Sequence, residues 1–152
     1  MLVKLMRGLP CSGKSTYVER VFPEAVVCSA DHIHIGDDNV FRFDPKKVQE
    51  GHNQCWKKFF GRLVDRERLI VIDNSLIALD ELGAYWLPAR VHGYEVEIIT
   101  IRTPLKLVLE RNNARVGDKK VNPAFIERLD ERMRIMNALI PTYWNHRFVD
   151  PD

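Results

Sequence analysis

Short apolar runs alternate with amphipathic stretches along the whole chain, without an internal repeat or a break in composition. Four of these runs predict β-strands, at residues 2–7, 24–29, 69–73 and 94–101. The run at 69–73 reads LIVID and is apolar up to its last residue, which is typical of a strand buried on both faces. This alternation indicates βαβ units, so we expect an α/β fold around a parallel sheet of four to five strands.

The stretches between these runs predict helices. Asp44-Pro45 and Asn122-Pro123 each join an N-cap residue to a first-turn proline. Thr103-Pro104 opens another helix, and residues 78–92 predict a further one that is kinked by a proline and stopped by Gly93. Apolar residues recur at helical spacing after the first two starts, and we expect both stripes to be core. They comprise Val48, His52, Cys55, Trp56, Phe59, Phe60, Leu63 and Val64, then Phe125, Ile126, Leu129, Met133, Met136 and Ile140.

The composition is that of one globular domain spanning residues 1–152, with 45% hydrophobic and 29% charged residues. The net charge of +2 indicates no particular class of partner. Three widely spaced cysteines argue against a disulfide framework and favour a reducing compartment. The first apolar run is too short for a secretory signal, and none approaches the roughly 20 residues that span a bilayer. We therefore expect a cytoplasmic protein without a membrane segment.

The segment GLPCSGKS, from Gly8 to Ser15, matches the pattern of a phosphate-binding loop between a strand and a helix. Its glycines allow the backbone to wrap closely, so that the amides of residues 11–16 form an anion nest at a helix N-terminus. Lys14 is expected to reach the β and γ phosphates of ATP, and the Ser15 hydroxyl to ligate Mg²⁺. The alternative is an ordinary glycine-containing turn that carries a surface lysine.

Two aspartates follow predicted strands whose carboxyl ends share one edge of a parallel sheet. Asp73 ends the LIVID strand, where it could hold Mg²⁺; the alternative is an Asx-turn with Asn74 and Ser75. Asp31 follows the second strand, where its carboxylate could accept the proton of an attacking hydroxyl. An equally open alternative is a helix N-cap formed at Ser29 or Asp31.

Three other residues allow two interpretations each. Cys11 lies within the phosphate loop, where a loop position selected by size is favoured over a redox role, because no second cysteine is near in sequence. His32 and His34 have a spacing found in some metal sites. Without further ligands, solvated or substrate-loop histidines are the favoured interpretation.

A basic segment, RNNARVGDKK, begins at Arg111 and lies between two predicted helices. Arg111 and Arg115 are four residues apart and would share a face on a continuing helix. The segment at approximately 111–122 is therefore a candidate lid, whose arginines would close over the triphosphate and neutralise its charge. The alternative is a solvated basic loop.

Taken together, RGLPCSGKST, SADH, VIDNS and RNNAR resemble the 5′-kinase module of the polynucleotide kinase family over about the whole chain. The resemblance implies an adenylate-kinase-like P-loop fold with three α/β/α layers and a helical lid. It implies that Asp31 is the general base, that Lys14 and the two lid arginines stabilise the phosphates, and that Ser15 handles the metal. The residues expected to bind ATP are Gly8, Pro10, Cys11, Ser12, Gly13, Lys14, Ser15, Thr16, Arg111 and Arg115, and those expected to hold Mg²⁺ are Ser15 and Asp73.

One position departs from the family pattern, because His34 stands where phage-type members carry an arginine that contacts the acceptor's phosphate. Arg42 is a candidate substitute. The leading hypothesis is an ATP-dependent kinase of a DNA or RNA 5′-hydroxyl. A kinase of a nucleoside or other small hydroxylated metabolite, and a nucleotide-binding switch or adaptor, are the alternatives.

Overall fold

The computed structural model describes residues 1–151. In that range, five strands form one parallel sheet in the order β2–β3–β1–β4–β5. The predicted α/β fold with a parallel sheet is confirmed. The strands are β1 (Leu2–Arg7), β2 (Val26–Cys28), β3 (Leu69–Asp73), β4 (Glu95–Ile101) and β5 (Asn145–Val149).

Helices cover both faces of this sheet, and the predicted capping signals start two of them. The Asp44 carboxylate accepts from the Lys46 amide at 2.9 Å, and the Asn122 side chain accepts from the Ala124 amide at 3.0 Å. The first cap opens a 3₁₀ turn that leads directly into α2. The helices are α1 (Lys14–Val21), α2 (Val48–Val64), α3 (Leu79–Val91), α4 (Leu105–Ala114) and α5 (Pro123–Asn137).

Alternate side chains of the central strands enter different cores, as the period of a strand requires. Val3 and Leu5 of β1 pack with α2 and α3 on one face, where Phe59 and Leu82 are fully buried. Met6 packs on the other face with Val18 of α1. This arrangement gives the three layers and leaves the carboxyl ends of β1 and β3 together at one edge of the sheet.

The predicted apolar stripe of α2 is wrong in its width. Cys55, Phe59 and Leu63 are buried, whereas Trp56 and Phe60 stack on each other at the surface with ring centroids 5.2 Å apart. Val48, His52 and Val64 are exposed as well. In the stripe of α5, Ile126 and Met133 are buried, Phe125 is 43% exposed, and Ile140 is buried beyond the end of the helix.

Pro88 lies inside α3, in its last turn, and Gly93 follows the helix at a φ of +83°. A proline has no amide to donate, so the carbonyl four residues before it is free for another donor. The Trp56 indole N–H donates to that oxygen, on Ala84, at 3.4 Å.

Across residues 1–151, none of the helices combines the length and apolarity that crossing a membrane requires.

Candidate functional site

The loop between β1 and α1 wraps tightly, through backbone conformations that favour glycine. Gly8 has a φ of +155° and Gly13 a φ of +95°, both in the region that side chains disfavour. A Cβ at Gly8 would also lie 2.9 Å from Ser12 Oγ and 3.3 Å from the Ile101 carbonyl oxygen. The Thr103 hydroxyl, from the connection between β4 and α4, holds the loop because it donates to the Ser12 carbonyl oxygen at 2.7 Å. The result is a preformed cradle at the N-terminus of α1, a geometry suited to an anion.

Lys14 lies within this cradle. Its ammonium donates to the Gly8 carbonyl oxygen at 3.0 Å and to that of Leu9 at 2.9 Å. Burial lowers the pKa of Lys14, and the carboxylates of Asp73 and Asp31 oppose that shift. Both aspartates are therefore close enough to act on the same ammonium, as the sequence predicts for this edge of the sheet.

The end of β3 supplies a candidate magnesium site. The Ser15 hydroxyl donates to Asp73 Oδ2 at 2.6 Å. Asp73 Oδ1 is buried and has no hydrogen-bond partner within residues 1–151. A hydroxyl beside a carboxylate with an oxygen to spare is a donor set that suits Mg²⁺. Ser15 and Asp73 thus fit the ion that the phosphate loop implies.

Asp31 lies in the first turn of a short 3₁₀ helix, Ala30–His34, directly after β2. The cap of that helix is Ser29, whose hydroxyl accepts from the Asp31 amide at 3.3 Å. The Asp31 side chain is exposed and does not serve as the cap. Of the two alternatives for this segment, the N-cap role belongs to Ser29, and the Asp31 carboxylate remains accessible beside the phosphate loop.

The predicted lid begins inside α4, because that helix continues to Ala114. Arg111 lies on its last turn and donates through Nη1 to the Cys11 carbonyl oxygen at 3.3 Å. Arg115 caps the helix with an extended backbone, so the two arginines do not share a helical face as the sequence suggests. They nevertheless line the same cavity.

Burial raises the pKa of the Cys11 thiol, although both arginines and Lys14 act in the opposite direction.

That cavity has a volume of about 380 Å³ and lies between the phosphate loop, α1 and the end of β5. It adjoins the loop on the side of the lid arginines. Its other lining includes residues that the sequence analysis does not single out: Tyr17, Ile101, Val149, Asp150 and Pro151. The cavity is open space directly next to the cradle.

His34 and Arg42 differ from the roles considered for them. His34 is buried, contrary to the expectation of a solvated or substrate-loop histidine, and packs against the rings of Phe41 and Phe43. Its Nδ1 accepts from the Asp44 amide at 3.3 Å. Arg42 forms a two-pronged pair with Asp38, with N–O distances of 3.1 and 2.7 Å.

Sequence reasoning also missed Arg7, the last residue of β1, which is fully buried. Its guanidinium donates to the carbonyl oxygens of Leu76 at 3.1 Å, Ile77 at 3.1 Å and Met133 at 3.3 Å, and to the side chain of Asn137. Burial lowers the pKa of Arg7 to about 10, so it stays charged at neutral pH. A charged residue closing an apolar strand directly before the loop is the signal that points to it.

Structural comparison finds the same fold in proteins of several kinds. A chain of the Pnkp1/Rnl/Hen1 RNA repair complex superposes with a TM-score of 0.75 at 14% identity, over 92% of this chain and 46% of its own. This chain therefore spans about half of that protein's length. A sugar kinase from a Janibacter species gives a TM-score of 0.61 at 15% identity, covering 98% of this chain and 84% of its own.

Kti12 from Chaetomium thermophilum, solved with ADP-AlF3, gives a TM-score of 0.63 at 15% identity, covering 99% of this chain and 89% of its own. Identities this low show a shared fold and nothing finer.

At the level of sequence, residues 3–136 match the model of a family described as AAA domain. The match takes in the phosphate loop, both aspartates and the candidate lid segment, and the chain belongs to this AAA domain family.

Proposed function

We propose that the protein is an ATP- and Mg²⁺-dependent phosphotransferase that moves the γ-phosphoryl group to a hydroxyl acceptor. The observation that carries this proposal is the placement of three residues at one edge of the sheet: Lys14 lies in the phosphate cradle, Asp73 is bonded to Ser15, and Asp31 is exposed after the strand next to β3. Both carboxylates also act on the pKa of Lys14. A phosphate cradle with one acid at its metal side and a second, accessible acid is the equipment of a kinase. A nucleotide switch has no need of the second acid.

In the proposed reaction, Asp31 accepts the proton of the acceptor hydroxyl as its oxygen bonds to the γ-phosphorus. The bond from that phosphorus to the β–γ bridging oxygen breaks, and ADP leaves. Lys14 and the amides of the loop hold the phosphates, and Arg111 and Arg115 offset the charge on the transferred group. Ser15 and Asp73 would hold Mg²⁺, which when bound would offset negative charge on the phosphate oxygens.

For the acceptor we propose the 5′-hydroxyl end of DNA or RNA. The resemblance in the SADH and RNNAR segments supports it, as does the fold shared with a chain of an RNA repair complex. A nucleoside or other small hydroxylated metabolite is the second candidate. It is favoured by the burial of His34 and by the pairing of Arg42 with Asp38, because neither side chain offers a free guanidinium to an acceptor phosphate.

The test is phosphate transfer from γ-labelled ATP to a panel of acceptors: a 5′-hydroxyl oligonucleotide, a nucleoside and a sugar. We expect labelling of the oligonucleotide, with a preference for longer strands that weakens as salt is added. Labelling of only the nucleoside or the sugar would replace the proposed acceptor with the second candidate. Tight ATP binding without labelling of any acceptor would contradict the phosphotransferase itself.

Asp31→Asn tests the base, because the amide has the same shape and cannot take up the proton. We expect the transfer rate to fall about 10²- to 10⁴-fold while the dissociation constant for Mg·ATP changes little. The matched control is Asp37→Ala, which removes an exposed carboxylate from the following loop and should leave the rate intact. Near-full activity of Asp31→Asn would show that another group accepts the proton.

A further inference from the structure

The residue before Asp31 is held from two sides by parts of the fold remote in sequence. On one side, the Ala30 amide donates to Asn74 Oδ1 at 2.9 Å. Asn74 directly follows Asp73, so the strand end that supplies the candidate metal ligand also supplies this acceptor. A single dipeptide thereby links the position of the metal-side acid to that of the proposed base.

Asn74 is itself fixed by a polar cluster between β3, α2 and α3. Its Nδ2 lies 3.5 Å from Cys55 Sγ and 3.5 Å from the Tyr85 hydroxyl oxygen. The buried Tyr85 hydroxyl donates to Cys55 Sγ at 3.4 Å. Because both the oxygen and the nitrogen of its amide have partners, the orientation of the Asn74 side chain is fixed. These contacts therefore hold Asn74 Oδ1 in place as the acceptor for the Ala30 amide.

On the other side, the Ala30 carbonyl lies against the backbone of α2 at Gly51. A Cβ at Gly51 would be 2.5 Å from the Ala30 carbonyl oxygen and 2.8 Å from Ile33 Cγ2. Contacts that short do not occur, so any side chain at this position must displace the segment that carries Asp31. A glycine inside a helix is less stabilising than an alanine, and here its bare backbone is what permits the close approach of Ala30.

We infer that Asn74 and Gly51 are positioning residues for Asp31, gripping the amide and the carbonyl of Ala30 so that the carboxylate stands at a set distance from the phosphate loop. This inference rests on the proposed function. It follows from the sensitivity of phosphoryl transfer to geometry, because a displacement of about 1 Å from the productive position lowers a rate about 10²-fold.

The test compares two substitutions on one helix, Gly51→Ala and Gly61→Ala. Beyond the neighbouring backbone of its own helix, a Cβ at Gly61 meets no atom of residues 1–151 within 4 Å, so this variant carries the helical alanine without the clash. We expect Gly51→Ala to lower kcat for transfer about 10- to 100-fold with little change in the KM or dissociation constant for Mg·ATP. Gly61→Ala should transfer phosphate at the wild-type rate.

Asn74→Ala repeats the test from the opposite side of Ala30 and carries it alone if Gly51→Ala does not fold. In single-turnover assays, each substitution is also combined with Asp31→Ala. A positioning residue has nothing left to position there, so the double variants should transfer no more slowly than Asp31→Ala does. Additive losses, an equal loss of Mg·ATP affinity, or an active wild type with unaffected variants would overturn the inference alone. A wild type that binds Mg·ATP but labels no acceptor would overturn the proposed function and the inference with it.

Discussion

Cys11 holds a left-handed backbone conformation, with a φ of 62°, in the middle of the phosphate loop. That region costs a residue with a side chain about 1–2 kcal/mol and costs glycine nothing. The Cys11 side chain packs against the cluster that contains Leu9 and Ile77, which offsets part of the cost. The loop therefore keeps its shape at a strained position.

Replacing this residue in two directions tests the strain. The free energy of unfolding of Cys11→Gly should lie within about 1 kcal/mol of the wild-type value, because relief of the backbone strain offsets the lost side-chain packing. Cys11→Val places a β-branched residue at the same φ and should fall below Cys11→Gly by about 1–2 kcal/mol. Urea denaturation of both variants at equal m-value measures the difference. Equal stability would mean that the loop leaves this conformation in solution.

At the scale of elements, the candidate lid is attached to the loop that follows the 3₁₀ helix of Asp31. Asp118, in the 3₁₀ turn Gly117–Lys119, accepts from the Phe43 amide at 3.0 Å. Next to it, the Lys119 ammonium lies 5.7 Å from the centroid of the Phe41 ring. These contacts join the lid to the segment that follows Asp31, so movement of one is coupled to the other.

Removing the hydrogen bond at Asp118 should release this attachment without disturbing the phosphate loop. In Asp118→Ala we expect the Phe43 amide to exchange its hydrogen about 2- to 10-fold faster, the effect of losing a bond of about 0.5–1.5 kcal/mol. Amide exchange followed by NMR measures it, with the Asp44 amide, bonded to His34, as the internal reference. Unchanged exchange at Phe43 would show that the lid does not rest on this loop in solution.

The elements also show how far the sequence predicts the fold. β1 and β3 have the predicted bounds because both are mainly apolar strands in the middle of the sheet, β3 without a break up to Asp73 and β1 interrupted only by Lys4 before it ends at Arg7. β5, with the sequence NHRFV, was not located, because an edge strand with mostly exposed or half-buried side chains lacks that pattern. Asp150 and Pro151, which follow it in the cavity wall, were missed for the same reason. The width of the α2 stripe was overestimated, since periodicity does not reveal which apolar residues another helix will cover.

The residues of the candidate site also differ in how far the sequence predicts them. Gly8, Lys14 and Ser15 belong to a local motif, so spacing alone identifies them. Asp31 and Asp73 could be brought to one edge because strand ends in a parallel sheet meet there. Asn74 and Gly51 depend on contacts across 44 and 21 residues of chain, from Ala30, which no local pattern encodes. Such contacts form only in the folded chain.

At the scale of the whole molecule, Arg7 joins parts of the chain that meet behind the phosphate loop. Its guanidinium links the end of β1 to the loop after β3 and to the last turn of α5. Its Nη1 also lies 3.5 Å from Thr100 Oγ1 on β4, and that hydroxyl lies 2.8 Å from His146 Nε2 on β5. Because the positive charge of Arg7 lies within this network, protonation of His146 should lower the free energy of unfolding of the whole molecule.

Burial lowers the pKa of His146, and the charge of Arg7 lowers it further. The unfolded chain therefore takes up a proton at His146 at a higher pH, near the ordinary histidine value of 6.5, than the folded chain does. By linkage, the free energy of unfolding falls as the pH drops below that value. His32, whose pKa is also lowered by burial and by Lys58, contributes in the same direction.

We therefore expect urea denaturation between pH 7.5 and pH 5 to show stability declining toward acid, and His146→Gln to reduce that decline. Glutamine keeps a polar group near Thr100 but cannot become charged beside Arg7, so the variant loses only the titration. His52→Gln, at an exposed position of α2, should retain the wild-type slope, because that side chain lies in solvent in both states. A His146→Gln slope equal to that of the wild type would mean that the folded molecule accommodates a second cation behind the loop, and the network around Arg7 would then be looser than its hydrogen bonds imply.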